Sequence, residues 1–155
     1  MTYPIVDSAR QNRILAGIPL SHYARLSEHL KPVILTAGQV ICEPGESLNF
    51  VYFPTTCTTS LVSQTAEGES SELAMTGRDG LVGVSLVLGS HTVNHRVVVQ
   101  CAGLAYRMPA AIFQSELVRC RELQQLALCH VQALITQISQ SIVCIGHHSV
   151  RERLC

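Results

Sequence analysis

The feature that most restricts the fold is a change of period at Pro109, before which the chain runs in short β-rich stretches and after which it is helical. Residues 33–35, 40–42, 50–53, 58–63 and 71–76 are rich in the β-branched and aromatic types that suit a pleated surface. Ala37-Gly38, Glu43-Pro44-Gly45-Glu46, Pro54 and Glu67-Gly68 punctuate them, a turn signal about every eight to twelve residues. Residues 95–101 and 104–108 flank Ala102-Gly103 and read as a closing hairpin. These seven runs, close to the roughly eight strands of a jelly roll, predict a mainly β fold of the eight-stranded jelly-roll type with flanking helices.

The helices are read from spacing. Between residues 8 and 29, Ile14, Leu15, Ile18, Leu20, Tyr23 and Leu26 recur at threes and fours, and Gly17-Ile18-Pro19 interrupts them. Two short N-terminal helices are expected, the second with Ser21 as its N-cap. Pro109-Ala110-Ala111 is a favourable helix start, and the helix it opens should end near Arg119. From residue 121 to about residue 145 there is neither Gly nor Pro, which predicts a helix of roughly 25 residues and nearly 40 Å. On it Leu128, Val131, Ile135, Ile138, Ile142 and Ile145 form a heptad seam, expected to be a parallel homodimer interface. A second face, Leu123, Ala127, His130, Leu134 and Ser141, should pack on the helix's own domain.

Between strands and helices lies a bend, residues 76–89, that holds four of the ten glycines. Gly77, Gly80 and Gly83 at three-residue spacing predict a tight turn whose N–H groups converge on a ligand, followed by a short helix within residues 81–88.

Composition limits the function. At 155 residues the chain suits one domain with an appended element. Hydrophobic residues make up 47% and charged residues 14%, so some apolar surface should be covered by a partner. Eleven basic and eleven acidic residues give zero net charge, which argues against direct nucleic-acid binding, a process driven by phosphate neutralisation. The start Met1-Thr2-Tyr3-Pro4 lacks a signal pattern, and no apolar run nears the roughly 20 residues of a spanning helix, so a cytoplasmic protein without membrane contact is expected. Seven cysteines without C-x-x-C spacing are read as free thiols, with no metal site. A cupin-like metal-dependent enzyme would need two or three histidines and a carboxylate from neighbouring strands. The chain offers only His91 and His95 there, and no nucleophile elbow, so a non-enzymatic protein is expected. A ligand-free dimerisation module is the remaining alternative.

Asn12-Arg13-Ile14-Leu15-Ala16-Gly17-Ile18-Pro19, Leu35-Thr36-Ala37-Gly38-Gln39-Val40-Ile41-Cys42-Glu43-Pro44-Gly45-Glu46, Val51-Tyr52-Phe53-Pro54 and Gly77-Arg78-Asp79-Gly80-Leu81-Val82-Gly83 together carry a resemblance. In content and order they resemble the sensor domain, cyclic nucleotide-binding-like, of the Crp/Fnr family of bacterial transcription regulators. The likeness covers nearly the whole chain. It implies a β-roll domain with N-terminal helices over residues 1–120, a dimerisation helix over 121–146 and a hinge over 147–155. A helix-turn-helix needs further helices with a basic recognition face, so DNA contact is expected only through a domain absent from this chain.

In relatives that bind cyclic nucleotides the bend carries Gly-Glu-x-Ala or Gly-Glu-x-Leu, and the next strand opens with Arg-Ser-Ala or Arg-Thr-Ala. The resemblance aligns Gly83-Val84-Ser85-Leu86 and Arg96-Val97-Val98 with these. A carboxylate would accept from the ribose and a guanidinium would pair with the phosphate. Val84 cannot accept a hydrogen bond and Val97 brings no hydroxyl, and each lost polar contact costs about 1 to 3 kcal/mol. The implied cassette is degenerate and does not bind cyclic nucleotide in the usual way. Gly83, Val84, Ser85, Arg96, Val97 and His130 are the candidate ligand-binding residues, for an unknown small-molecule effector with no defined cofactor. Arg96 has a second reading, as an exposed or salt-bridged strand residue. Haem-binding relatives use His or Cys ligands, which keeps His95, His130 and the seven thiols in view; no cysteine precedes Cys42, unlike the iron-sulphur members.

Overall fold

A computed structural model describes residues 8–147. A 3-10 turn, Ser8–Gln11, leads into α1 (Arg13–Gly17) and α2 (Leu20–Ser27). The strands β1 (Lys31–Leu35), β2 (Val40–Cys42), β3 (Phe50–Pro54), β4 (Thr58–Gln64) and β5 (Ser70–Thr76) follow. After the bend come α3 (Val84–Val87), β6 (Arg96–Cys101), β7 (Gly103–Pro109), α4 (Ala110–Arg119) and α5 (Arg121–His147). Two antiparallel sheets result, ordered β1-β7-β3 and β2-β6-β4-β5.

The described residues give seven strands where about eight were expected. The stretch at residues 45–48 still exchanges backbone hydrogen bonds with residues 91–93, Gly45 N donating to Val93 O at 2.7 Å and Leu48 N to His91 O at 2.9 Å. Only an isolated Ser47–Thr92 bridge forms there. Gly45 and Gly89, both at positive φ, turn the chain on either side and stop the pairing from spreading.

Between the sheets and the helices lies a core that includes Val51, Phe53, Leu86, Met108, Phe113 and Leu123. Phe53 meets Phe113 edge to face, with centroids 6.1 Å apart. Each such buried side chain contributes about 1.5 to 3 kcal/mol through apolar burial. Helix α4 begins where the sequence indicates, with Pro109 at its N-cap. At α2 the expectation fails: Pro19, not Ser21, is the cap, and its carbonyl already accepts from His22 N and Tyr23 N at 3.0 and 2.9 Å. A proline φ pre-set for a helix start moves the boundary forward.

Helix α1 is capped by a residue that the periodicity does not single out. Asn12 Oδ1 accepts from Ile14 N at 3.1 Å and Leu15 N at 3.3 Å. Its Nδ2 donates to Pro54 O at 2.9 Å and Gly80 O at 2.8 Å. Fully buried and with both ends satisfied, Asn12 pins the first helix to the end of β3 and to the glycine bend at once.

The long helix α5, 27 residues or about 40 Å, lies on the roll as expected through Leu123, Ala127, His130 and Leu134, all buried. Gln137 caps the free edge of β5: Met75 N donates to its Oε1 at 3.0 Å, and its Nε2 donates to Met75 O at 3.4 Å. Ser141 Oγ donates to Leu73 O at 3.3 Å. The heptad seam, however, is split. Leu128, Ile135 and Ile142 are exposed at 47%, 53% and 62%, whereas Val131 is buried and Ile138 half-buried. Val131 lies four residues after Ala127 and three before Leu134, so a straight helix of period 3.6 puts it on the stripe that faces the roll. Ile145 falls outside the described side chains, as do residues 148–155 of the expected hinge.

A further correction concerns hydropathy. The stretch Arg121–Cys144 is, by length and composition alone, long and apolar enough to cross a membrane, contrary to the sequence reading. Its apolar content serves two faces, one buried on the roll and one exposed.

Candidate functional site

A cavity of about 270 Å³ lies under α5, between the inner face of the β4–β6 pair, the bend with α3, and the loop before β6. Strand alternation decides what lines it. On β6 Val97 and Val99 are buried while Arg96 and Val98 are half-buried, so Val97 faces inward with its register partner Leu61. Gly83, Val84 and Ser85 line the cavity from the bend, and Val131, Leu134, Ile135 and Ile138 close it from α5. The structure therefore brings four of the six expected ligand-binding residues together: Gly83, Val84, Ser85 and Val97.

Arg96 and His130 are elsewhere. One residue out of phase with Val97, Arg96 is not among the cavity-lining residues. Its Nε donates to both oxygens of Glu43 at 3.0 Å, and its Nη2 to Glu43 Oε1 at 2.6 Å. That bond holds the Glu43 carboxyl below its ordinary pKa and raises Arg96. The fork geometry matches the carboxylate, and the pair is partly exposed on the outer face of the roll. Of the two readings open for Arg96, the salt-bridge partner is the one observed.

His130 is a strut between α5 and the bend. Its Nε2 lies 3.0 Å from Leu81 O, and burial pulls its pKa below the ordinary value, opposed by that carbonyl contact and by Asp79. A Cβ on Gly80 would stand 2.1 Å from His130 Cε1. Gly80 is therefore required by an imidazole ring, not by backbone conformation, since it is absent from the positive-φ glycines. Of the three evenly spaced glycines, Gly83 alone has positive φ, 136°, and its missing Cβ leaves room for Val51 and Leu48. The bend N–H groups are partly spent within the protein: Val82 N donates to Tyr52 O at 2.8 Å and Leu86 N to Gly83 O at 3.0 Å.

The chemistry of the cavity follows from its walls. Leu48, Leu61, Leu81, Val97, Leu134 and Ile138 present carbon, and Thr59, Thr76 and Ser85 present hydroxyls. Thr59 Oγ1 donates to Thr76 O at 3.4 Å. The Ser85 hydroxyl is buried and meets no hydrogen-bond partner among the described residues. Among the described residues no Lys, Arg, Asp or Glu lines the space, and His95, half-buried, is the one basic side chain there. The residue types at positions 84 and 97 could be read from the sequence, but the outward turn of Arg96 could not, because it depends on which face of β6 meets α5.

Six cysteines are described and all are free: Cys42, Cys57 and Cys120 are buried, and Cys101, Cys129 and Cys144 exposed. Burial raises the pKa of the three buried thiols. Among the described residues His22, Cys120 and Glu122 form a His, Cys and carboxylate group with ligand atoms within 4.8 Å of one another. It lies where α2 meets the start of α5, away from the cavity, and Arg25 Nη2 stands 3.0 Å from His22 Nδ1.

Comparison with known structures finds the same fold in regulators. The c-di-GMP-responsive global regulator CLP of Xanthomonas campestris matches with a TM-score of 0.72 at 13% identity, over 87% of this chain and 68% of that one. The N-terminal domain of a transcriptional regulator from Streptomyces coelicolor matches at 0.61 and 17%, over 92% of this chain and all of that one. The regulatory subunit of a cAMP-independent protein kinase A from Trypanosoma cruzi, bound to guanosine, matches at 0.69 and 15%, over 92% of this chain and 48% of that one. The chain thus spans about half the length of the kinase subunits that it matches. A sequence comparison with curated proteins found no match. The profile of the cyclic nucleotide-binding domain, in contrast, aligns with residues 32–120, from β1 to the end of α4. Because that alignment takes in more than half of the sequence and both sheets of the roll, the chain belongs to the cyclic nucleotide-binding domain family.

Proposed function

We propose that the chain is the effector-sensing domain of a Crp/Fnr-type transcription regulator, cytoplasmic and regulatory rather than catalytic, and that it works as a homodimer through α5. The cavity under α5 is the effector site. The phosphate cassette is degenerate, so a cyclic nucleotide does not bind in the usual way. DNA contact belongs to a separate domain, as implied by the Streptomyces match, which is itself an N-terminal domain. Residues 1–120 act as the sensing roll and 121–146 as the dimerisation helix.

The observation that carries this reading is a shared helix. Val131, Leu134, Ile135 and Ile138 of α5 wall the cavity, while Leu128, Ile135, Ile142 and Val143 of the same helix are large apolar side chains left exposed. An occupant pressing on one face shifts a helix whose other face meets a second copy. Coupling of this kind is typically worth about 1 to 3 kcal/mol. The fold supports effectors other than cyclic mononucleotides: the Xanthomonas protein responds to c-di-GMP, and the Trypanosoma cruzi subunit is bound to guanosine.

Sedimentation tests the dimer. The chain should sediment as a dimer at tens of micromolar, and replacing Leu128 and Ile142 with Glu should give a folded monomer. A monomeric parent protein with intact helix content would refute the assembly. If no small molecule raises the melting temperature, the ligand-free dimerisation module is the better description, because binding to the folded state must raise it.

A further inference from the structure

We infer that the cavity under α5 takes an uncharged, largely apolar small molecule that carries one hydrogen-bonding group, and excludes phosphate-bearing nucleotides. The inference rests on the reading of this cavity as the effector site and specifies the chemistry of the occupant.

Three features carry it. First, the walls: no Lys, Arg, Asp or Glu is among the lining residues, and most of the lining side chains are Leu, Val and Ile. An anion moved from water into such a site loses its hydration and gains no countercharge, whereas an apolar molecule gains by the same transfer. Second, the guanidinium nearest in sequence is committed. Arg96 is turned to the outer face and held by both oxygens of Glu43, a carboxylate 53 residues away in the chain. Recruiting it to a phosphate would require breaking that fork and reversing the inward and outward alternation of β6, which Val97 and Val99 fix by their burial.

Third, of the polar side chains that line the cavity, Ser85 has a hydroxyl that is both buried and unpaired among the described residues, and an unpaired buried hydroxyl is costly. Rotation about the Ser85 Cα–Cβ bond would turn this hydroxyl from its enclosed position toward the cavity, where a ligand with a single hydroxyl, carbonyl or N–H satisfies it while the rest of the molecule meets carbon. At about 270 Å³ the space is close to the lower end of the roughly 300 to 1,000 Å³ usual for small-molecule sites, so the occupant is compact. Its contact with Val131 and Ile138 places it directly against α5.

The probe is N-phenyl-1-naphthylamine, an uncharged apolar fluorophore with one N–H, titrated into the full chain. Saturable binding of one molecule per chain is expected, with cyclic AMP and c-di-GMP at millimolar concentration neither displacing it nor raising the melting temperature. Val131→Phe, which fills the cavity, should weaken the probe at least tenfold. Val84→Phe, at a half-buried position on the mouth, gives the same readout should Val131→Phe not fold by circular dichroism. Displacement of the probe by cyclic AMP, with a raised melting temperature, would overturn the uncharged class and leave the sensor reading standing. Binding of neither probe nor nucleotide would overturn both. Undiminished probe binding in the folded variants would place it on the exposed stripe of α5 and overturn the inference.

Discussion

Gly80→Ala tests the contact on which the geometry of the bend depends. The new Cβ would stand 2.1, 2.5 and 2.7 Å from His130 Cε1, Nδ1 and Nε2, all below any tolerable separation. The substituted backbone is not itself strained, because Gly80 is not at positive φ. The ring must therefore move. Forcing a methyl into a packed site costs about 1 to 3 kcal/mol. Moving His130 also breaks its contact with the Leu81 carbonyl, and a buried acceptor left unpaired costs about 1 to 3 kcal/mol. The two losses overlap, so the expected destabilisation is about 2 to 4 kcal/mol, read as a shift in the urea midpoint. For a chain of this size that is a fall in melting temperature of roughly 4 to 16 °C. The double variant isolates the contact. In a His130→Ala background the methyl has room, so adding Gly80→Ala should cost less than about 0.5 kcal/mol, giving a coupling energy of about 1.5 to 4 kcal/mol. Additive losses, or a single-variant cost under about 0.5 kcal/mol, would show that the bend does not depend on this contact.

Other consequences can be checked in the same assay. His130 is held neutral by burial, with its folded pKa below the unfolded value, so the unfolded state binds the proton more readily. Stability should be complete above the unfolded pKa near 6.5, then fall as the pH drops from there to the folded pKa, with a slope of up to about 1.4 kcal/mol per pH unit; His130→Gln should flatten that part of the profile. Asn12→Ala removes a cap and leaves the Pro54 and Gly80 carbonyls without their donor, so the urea midpoint should fall by an amount equivalent to about 2 to 4 kcal/mol. Arg96→Ala, by contrast, removes a partly exposed pair screened by solvent and should leave the urea midpoint nearly unchanged and cavity binding intact; a loss of binding would return Arg96 to the site.

Much of the fold was legible in the sequence because it rests on local period. The strand runs, the helix start at Pro109 and the uninterrupted helix from Arg121 are each set by patterns a few residues long, and they stand where expected. The misses share a cause. Ser21 has the right residue type for a cap, yet Pro19 already fixes the backbone two residues earlier. Local pattern does not show that Asn12 ties the first helix to two other segments, since those partners, Pro54 and Gly80, are 42 and 68 residues away.

By itself, then, the sequence determined the order of elements and the chemistry available at the cassette: Val84 and Val97 are apolar whatever surrounds them. Tertiary structure alone decided where that chemistry points. Whether Arg96 faces a ligand or Glu43 depends on which side of β6 the long helix covers. Whether Val131 belongs to a dimer seam or to the roof of a cavity depends on where one turn of a doubly apolar helix settles on the sheet. Glycine at position 80 follows from a ring fifty residues further along the chain. Local period reports how a segment is built, but the side that meets a distant partner is fixed only when the whole core is packed together.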